Sequence, residues 1–159
     1  MTTIRKATEQ DRLGLFKLAA AMHRETDFAR LAFAPEKALD KLGGWLHGEG
    51  GFMCVAERDG EIVGMLAATL KAPWFSTDMI ASEDLFFVRD DARGSPLAFR
   101  LMGFFVDWAI STGVAYLRAG VATGDVGKGA ERIYEHFGFA RVGSCYSLHV
   151  AAHGQEVPS

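Results

Sequence analysis

Residues 93–96, Arg-Gly-Ser-Pro, follow an apolar run that ends at Val88, and they could bind a phosphate group if they open a helix. A helix N-terminus presents unpaired N–H groups and the positive end of the helix dipole, so it holds phosphate without a charged side chain. Gly94 lets the backbone approach a ligand closely, Arg93 adds a positive charge, and Pro96 removes one N–H donor while fixing φ for the first turn. The N–H groups that remain are those of Ser95, Leu97 and Ala98. Taken alone, the four residues are better explained as an ordinary helix start.

The elements that position this stretch are predicted from hydrophobic periodicity and turn residues in the order β-α-α-β-β-β-α-β-α-β. The first elements are a strand within 2–8 and a helix that begins at a Thr8–Asp11 capping box and ends at about Glu25. A second helix begins at Pro35 and ends at 43–44 or 47–48, and a hairpin with its turn at Asp59-Gly60 follows. The later ones are a strand at 80–88, a helix at 95–112, a strand at 114–122, a helix at about 130–137, and a last strand or pair of strands at 140–150. The antiparallel hairpin in front of an alternating order predicts an α/β fold with a mixed sheet.

The composition is that of an ordinary globular domain. The chain has 159 residues, of which 49% are hydrophobic and 23% charged, and we expect one domain at 1–150 with a loose tail at 151–159. The net charge of −3 argues against non-specific nucleic-acid binding as the main role. Cys54 and Cys145 lie in apolar segments and are expected to be buried, reduced thiols. The polar N-terminus and the lack of a long apolar run predict no signal peptide and no membrane span, and therefore a cytoplasmic protein.

Two motifs in this order resemble those of the GNAT N-acetyltransferases. After "EDLFFVRDDA", residues 93–98 are similar to the family's acetyl-CoA loop, Q/R-x-x-G-x-G/A, with Pro96 in the place of the first glycine. The stretch "GKGAERIYEHFGF" is similar to the second signature, roughly N-x-x-A-x-x-L-Y-x-x-x-G-F, with Gly127 in the place of the asparagine. The positions that fit are Arg93 and Ala98 in the first motif, and Ala130, Ile133, Tyr134, Gly138 and Phe139 in the second. With the element order, the resemblance covers about residues 3–150.

This resemblance implies a fold and a cofactor. The expected fold is a single-domain, GNAT-like α/β fold, with a mixed, twisted sheet of about six to seven strands flanked by helices. The expected cofactor is acetyl-CoA, with its pyrophosphate at the loop and its pantetheine arm paired like an added strand with the backbone that precedes the loop. The implied cofactor-binding residues are Phe86, Phe87, Val88, Arg93, Gly94, Ser95, Pro96, Leu97, Ala98 and Phe99. No His, Cys or Asp grouping has metal-ligand spacing, so no metal is predicted.

The resemblance also implies catalytic groups. Tyr134 occupies the position of the family's general acid for the leaving sulfur, although a tyrosine that packs a helix against the sheet is the alternative. For the base, alternation along a strand puts Asp84 on the face of Phe86 and Val88 and Glu83 on the opposite face, so Asp84 is preferred and Glu83 is the alternative. Either carboxylate is equally well explained as a solvated strand start, and many family members work without a strict base.

The expected function is transfer of an acetyl group from acetyl-CoA to a primary amine, by direct attack in a ternary complex. Trp74 and Phe75, in the loop before the strand at 80–88, are the preferred acceptor contacts, and His23 on the first helix and His47 near the end of the second are weaker candidates. The acceptor is a small amine or a peptide, and the acidic composition makes a tRNA or nucleobase acceptor less favoured. A non-catalytic CoA-binding module is the alternative function, motivated by the departures at Pro96 and Gly127. A homodimer is the default assembly expected for the family.

Overall fold

A five-stranded sheet with helices on both faces forms the fold, in a computed structural model that describes residues 1–120 and 129–150. The strands, in sheet order, are β1 (Thr2–Lys6), β2 (Gly51–Arg58), β3 (Glu61–Lys71), β4 (Ile80–Val88) and β5 (Tyr116–Arg118). The helices are α1 (Arg12–Glu25), α2 (Pro35–His47), α3 (Leu97–Ser111) and α4 (Ala130–His136). β1 to β4 pair antiparallel and β5 pairs parallel to β4. The α/β class and the mixed sheet are confirmed, and the element order matches the prediction as far as α4.

Local chemistry explains where several elements begin and end. Asp59 and Gly60 both have positive φ, 52° and 83°, as the predicted tight hairpin between β2 and β3 requires. The predicted capping box also forms, because the Thr8 N–H donates to the Asp11 carboxylate at 2.8 Å. This box opens a 3₁₀ turn at Glu9–Asp11, which leads directly into α1.

The sheet separates two cores. On one face, β2 to β4 pack against α1 and α2 through Leu15, Leu18, Leu42, Met53, Val55, Met65, Ala67, Leu85 and Phe87. On the other face they pack against α3 and α4, with Phe52, Leu66, Leu101, Met102 and Phe105 among the buried residues. None of the helices in residues 1–120 and 129–150 has the length and apolar character needed to cross a membrane.

The predicted last strand is wrong, because residues 140–149 form no strand in the structure. The apolar residues of this segment, Val142, Tyr146 and Leu148, are between 66% and 91% exposed. Their alternation suits a pleated surface, but a strand also needs a neighbour for its N–H and C=O groups, and the described part of β5 is only three residues long. The described chain therefore has five strands instead of six or seven.

The two cysteines have different environments. Cys54 lies in β2 and is fully buried, and burial raises the pKa of its thiol to about 12. Cys145 is exposed, which contradicts the expectation of a buried thiol, because its segment does not join the sheet. The position 127, where glycine replaces the motif's asparagine, and the predicted tail at 151–159 lie outside the described residues.

Candidate active site

A cleft opens where β4 and β5 diverge. The two strands pair only from Ile80–Tyr116 to Ser82–Arg118, so in the described chain no strand covers this edge of β4 from residue 83 onward. The cleft has a volume of ≈ 390 Å³. It is lined by the end of β4, the loop that follows, the first turn of α3, the end of α1 and the start of α4: Met22, Thr26, Phe86, Phe87, Val88, Ala92, Arg93, Gly94, Ser95, Ala98, Gly129, Ala130 and Ile133.

The floor of the cleft is the loop between β4 and α3. Gly94 has φ +78°, a conformation that glycine adopts without strain, and a Cβ atom there would meet nothing within 4 Å. The Ser95 hydroxyl donates to the Ala92 carbonyl at 2.6 Å and closes the turn. Pro96 is the N-cap of α3, and its carbonyl accepts from the Arg100 N–H at 3.0 Å. Its missing N–H precedes the helix, so the amides of the first helical turn keep their donors, of which the Leu97 N–H makes only a long contact, 3.5 Å, with the Ser95 hydroxyl.

Arg93 is held in place by neighbours on both sides of the loop. Its guanidinium donates to the Val88 carbonyl at 2.9 Å and to the Asp90 carboxylate at 3.2 Å, and it forms an ion pair with Glu25 at the end of α1. It also lies over the Phe87 ring, 5.2 Å from the ring centroid. Arg93 therefore fastens α1 to the loop, and an anion in the cleft would have to share it with these carboxylates.

Most of the predicted cofactor residues meet in this cleft. Seven of them line it: Phe86, Phe87, Val88, Arg93, Gly94, Ser95 and Ala98. Three do not, because Pro96 is the helix cap, the Leu97 side chain is buried in the core, and Phe99 packs against the rings of His136 and Phe137. For Leu97 and Phe99, only backbone groups are left to face a ligand.

The sequence reasoning missed the wall contributed by α1. Thr26, directly after this helix, is only 6% exposed, and its Oγ1 has no hydrogen-bond partner among the described residues. Thr26 is the N-cap of a 3₁₀ turn, Asp27–Arg30, yet its side chain makes no capping bond. A buried hydroxyl without a partner is destabilising, so this group is suited to bind a ligand in the cleft. In the sequence, the only feature that could have indicated a role for Thr26 was its position directly after the helix predicted to end at about Glu25.

A β-bulge in β4 decides which carboxylate faces the cleft side of the sheet. Ala67 of β3 lies opposite Leu85 and Ala68 lies opposite Glu83, so Asp84 is an extra residue with no partner on β3. The bulge breaks the alternation on which the prediction relied. Glu83 therefore lies on the α3–α4 face, like Phe86 and Val88, and the predicted assignment of faces is wrong.

Glu83 and Tyr134 are directly joined. The Tyr134 hydroxyl donates to Oε2 of Glu83 at 2.7 Å and also lies 3.0 Å from the carbonyl oxygen of Gly120, just after β5. Burial raises the pKa of Glu83 to about 7, partly offset by the hydrogen bonds from Tyr134 and the Gly120 backbone. Burial, and next the nearby Glu83 charge, hold the pKa of Tyr134 well above its usual range. The pair lies where β4 and β5 separate, next to the cleft and not in its lining.

Asp84, the base preferred from the sequence, lies elsewhere. It is exposed, and its carboxylate accepts hydrogen bonds from the Trp45 indole at 2.9 Å and from the Thr69 hydroxyl. Trp45 belongs to α2, so Asp84 faces the α1–α2 side of the sheet. The structure does not bring Asp84 together with Tyr134.

The predicted acceptor contacts also lie outside the cleft lining. Trp74 and Phe75 are exposed in the β3–β4 loop and stack edge to face, with ring centroids 5.3 Å apart. Phe75 lines a separate surface hollow with Asp78, Tyr116 and Arg118. His23 bonds to the Leu31 carbonyl at 2.7 Å, and His47 to Glu9 at 2.6 Å, so both histidines tie elements together.

The fold is shared with solved structures that include acetyltransferases. A protein described as a transcriptional regulator from Bacillus halodurans C-125 superposes with a TM-score of 0.76 at 21% identity, over 94% of this chain and 99% of that chain. An aminoglycoside N-acetyltransferase in complex with CoA gives 0.73 at 12% identity, over 94% of both chains. A predicted acetyltransferase with acetyl-CoA from Clostridium acetobutylicum gives 0.71 at 16% identity, over 96% of this chain and 99% of that chain.

The comparisons at the level of sequence differ in their outcome. A search of curated protein sequences finds no significant match. Residues 18–139, however, match the family described as the acetyltransferase (GNAT) family. This match spans most of the chain, from the α1 wall of the cleft through the β4 edge and the loop to Tyr134 on α4, and by it the protein belongs to the GNAT acetyltransferase family.

Proposed function

We propose that this protein is an N-acetyltransferase that moves an acetyl group from acetyl-CoA to a primary amine. The observation that carries the proposal is the cleft between the uncovered edge of β4 and the N-terminus of α3, in a chain of this family. The structural relatives in complex with CoA or with acetyl-CoA support this choice of cofactor.

The cleft offers complementary groups to two parts of CoA, the pyrophosphate and the pantetheine arm. The amides of the first turn of α3, with Gly94 and Ser95, suit the pyrophosphate. The uncovered edge of β4 at Phe86, Phe87 and Val88 suits the amides of the pantetheine arm, which can pair with it as an added strand. Acetyl-CoA supplies an activated acetyl group as its thioester, and the chain holds it, orients it and moves protons.

The proton-transfer roles fall to two side chains. We assign Tyr134 as the acid for the leaving sulfur and Glu83 as the base that takes a proton from the amine through water. The geometry supports Glu83 over Asp84, because only Glu83 shares a face and a hydrogen bond with Tyr134. A carboxyl group with a pKa of about 7 is also well matched to base catalysis near neutral pH.

The test combines binding and turnover with the intact protein. Acetyl-CoA at 100 times its dissociation constant should stabilise the fold by about 2.7 kcal/mol, which a thermal-shift measurement detects. Release of CoA thiol is then followed with polyamines, amino acids, aminoglycosides, a peptide N-terminus and charged tRNA as acceptors. A Tm that does not move at millimolar acetyl-CoA rejects the proposal. Binding with no turnover across the panel supports the non-catalytic alternative instead.

A further inference from the structure

We propose that Glu25, at the end of α1, competes with the pyrophosphate of CoA for Arg93. It must release Arg93 when the cofactor binds, and by taking Arg93 back it hastens release of the CoA product. The inference rests on the proposed acetyl-transfer function and goes beyond it, since it concerns how the cofactor is held and released. Glu25 does not line the cleft and takes no part in the chemistry.

Arg93 is the only charged residue among the described residues that line the cleft. Its guanidinium already forms an ion pair with Glu25 and a hydrogen bond of 3.2 Å to the Asp90 carboxylate. Two carboxylates against one guanidinium leave a net negative charge at the rim of the cleft. This charge would repel a pyrophosphate, which is itself doubly negative, unless one carboxylate withdrew.

Glu25 is the carboxylate that competes more strongly. The Asp90 side chain is 83% exposed, so water and salt screen its charge, whereas the Glu25 side chain is 35% exposed. Asp90 also belongs to the same loop as Arg93, and the Arg93 N–H donates to its carbonyl at 3.2 Å, so it stays beside Arg93 in either state. Glu25 comes from a separate element, and its ion pair can break without a change in the loop.

The position of Glu25 in α1 means that it depends on Arg93 for a favourable charge. It is the last residue of this helix, where the negative end of the helix dipole disfavours a carboxylate. Asp27 adds a second negative charge nearby, and in the described chain no ion pair joins Glu25 to Arg24 of the same turn. When a pyrophosphate takes Arg93, the dipole, Asp27 and the pyrophosphate all favour turning the Glu25 side chain out to solvent.

The competition acts on the substrate and the product alike. Acetyl-CoA and CoA carry the same pyrophosphate, so the cost of breaking the Glu25–Arg93 pair weakens the binding of both. Differences in affinity at one site appear mostly in the dissociation rate. Because product release limits turnover in many enzymes, a carboxylate that recaptures Arg93 would shorten the time for which CoA occupies the cleft.

Glu25→Gln tests the competition, because it removes the charge and keeps the size of the side chain. Calorimetric titration should show acetyl-CoA and CoA binding about 3- to 10-fold more tightly, the equivalent of a partly exposed ion pair and the repulsion that it relieves. Surface plasmon resonance should show most of this gain as slower dissociation of CoA. Glu25→Ala should change the affinity in the same direction, which would assign the effect to the lost charge and not to the new amide. Binding that is unchanged or weaker in both variants overturns the inference.

Glu61→Gln is the matched control, since it removes a comparable ion pair outside the cleft. Glu61 pairs with Arg89 at 3.0 Å, and the Arg89 side chain is 34% exposed, as the Arg93 side chain is. Affinity for CoA should not change in this variant. A gain equal to that of Glu25→Gln would show a general effect of net charge and overturn the inference.

A series of ligands locates the effect at the pyrophosphate. ADP carries the pyrophosphate without the pantetheine arm and should gain affinity for Glu25→Gln, whereas acetyl-pantetheine, which has no phosphate, should not. At about 1 M salt, where the Debye length is about 3 Å, the gain for CoA should shrink. A gain for acetyl-pantetheine equal to that for CoA would mean that Glu25 acts on the arm through the α1 wall, and would overturn the competition.

Stability separates the competition from a structural role. Without ligand, the Tm of Glu25→Gln should be equal to or below that of the wild type, because the tie between α1 and the loop is lost. A merely structural role would lower both the Tm and the affinity, whereas the competition predicts a higher affinity. A wild type that does not bind acetyl-CoA fails the proposed function, and the competition with it. A wild type that binds acetyl-CoA as tightly as Glu25→Gln does overturns the competition alone.

Discussion

The hydroxyl of Thr26 shows how a single residue can mark a binding surface. Its Oγ1 is buried in the α1 wall of the cleft and has no hydrogen-bond partner within residues 1–120 and 129–150. It lies next to Glu25, whose ion pair with Arg93 fixes this wall to the loop. An amide of a pantetheine arm on the β4 edge could accept from, or donate to, this hydroxyl from the opposite side.

Thr26→Val, which replaces the hydroxyl by a methyl group of similar size, should separate ligand binding from folding. The free energy of unfolding of the unliganded protein should stay the same or rise, because no hydrogen bond within the described chain is lost. Affinity for acetyl-CoA should fall about 2- to 10-fold, the equivalent of one net hydrogen bond of about 0.5–1.5 kcal/mol. Calorimetric titration and urea denaturation measure the two effects.

Thr26→Ser is the control for this comparison, since it keeps the hydroxyl and should retain most of the affinity. Equal affinity of the wild type and Thr26→Val would mean that the hydroxyl does not contact the cofactor. A large loss of stability in the valine variant would mean that the hydroxyl has a partner within the protein.

At the scale of elements, the turn that leads from β4 into α3 can be tested with two matched glycines. Gly94 precedes α3 and Gly113 follows it, with φ angles of +78° and +76°, and in each case a Cβ atom would meet nothing within 4 Å. Alanine at either position should therefore destabilise the fold by a similar amount, about 1–2 kcal/mol, through backbone strain alone. Only Gly94→Ala should also weaken acetyl-CoA binding, because only Gly94 lines the cleft.

Denaturation and calorimetric titration of both variants check this expectation. If Gly113→Ala weakens binding as much as Gly94→Ala does, the loss of affinity reflects general destabilisation and the loop is not the pyrophosphate site. If Gly94→Ala binds like the wild type, the backbone at Gly94 does not approach the ligand.

The boundaries of elements that are determined by a few adjacent residues were predictable from the sequence, but the register in which β4 pairs with β3 was not. The Asp59-Gly60 turn, the capping box at Thr8 and the start of α2 at Pro35 each depend on a few adjacent residues. The bulge at Asp84 depends on how β3 pairs with β4, which no residue of β4 encodes alone. The strand predicted at 140–149 is wrong for a related reason. The alternation of its residues is typical of a strand, but the local sequence does not specify a neighbouring strand with which it could pair.

At the scale of the whole molecule, Glu83 should make stability depend on pH. Below about pH 4.5 the carboxyl group is protonated in both the folded and the unfolded chain. Between that pH and about 7 the unfolded chain releases its proton while the folded chain keeps it, so the free energy of unfolding falls as pH rises. The full loss, present above pH 7, is up to about 3 kcal/mol for a shift of this size.

Urea denaturation of the wild type and Glu83→Gln at pH 5, 6, 7 and 8 measures this contribution. The variant should gain stability relative to the wild type as pH rises, and the gain should level off above about pH 7. Taking the difference removes groups common to both proteins, such as Asp11, whose pKa is lowered by its hydrogen bonds from Arg5. A difference that does not change with pH would contradict the burial of the Glu83 charge.

The assembly of the cleft from distant parts of the chain limits what motifs can predict. The loop at 93–96 and the helix bearing Tyr134 each matched a recognisable pattern, and the fold brings both to the β4 edge. Met22 and Thr26 reach the same cleft from about seventy residues upstream, because α1 packs across the sheet. Nothing in the local sequence around them distinguishes cleft wall from ordinary helix end.

The bulge in β4 has a consequence for how this site can evolve. Removing one residue of β4 on the N-terminal side of Glu83 would let the strand pair without a bulge and place Asp84 opposite Ala68, which exchanges the faces to which the two adjacent carboxylates point without altering either side chain. Among relatives, a one-residue insertion or deletion in this strand can therefore move the proton-accepting group from one neighbour to the next. In an alignment of such sequences, the position of a carboxylate would indicate its role only if the presence or absence of the bulge were also known.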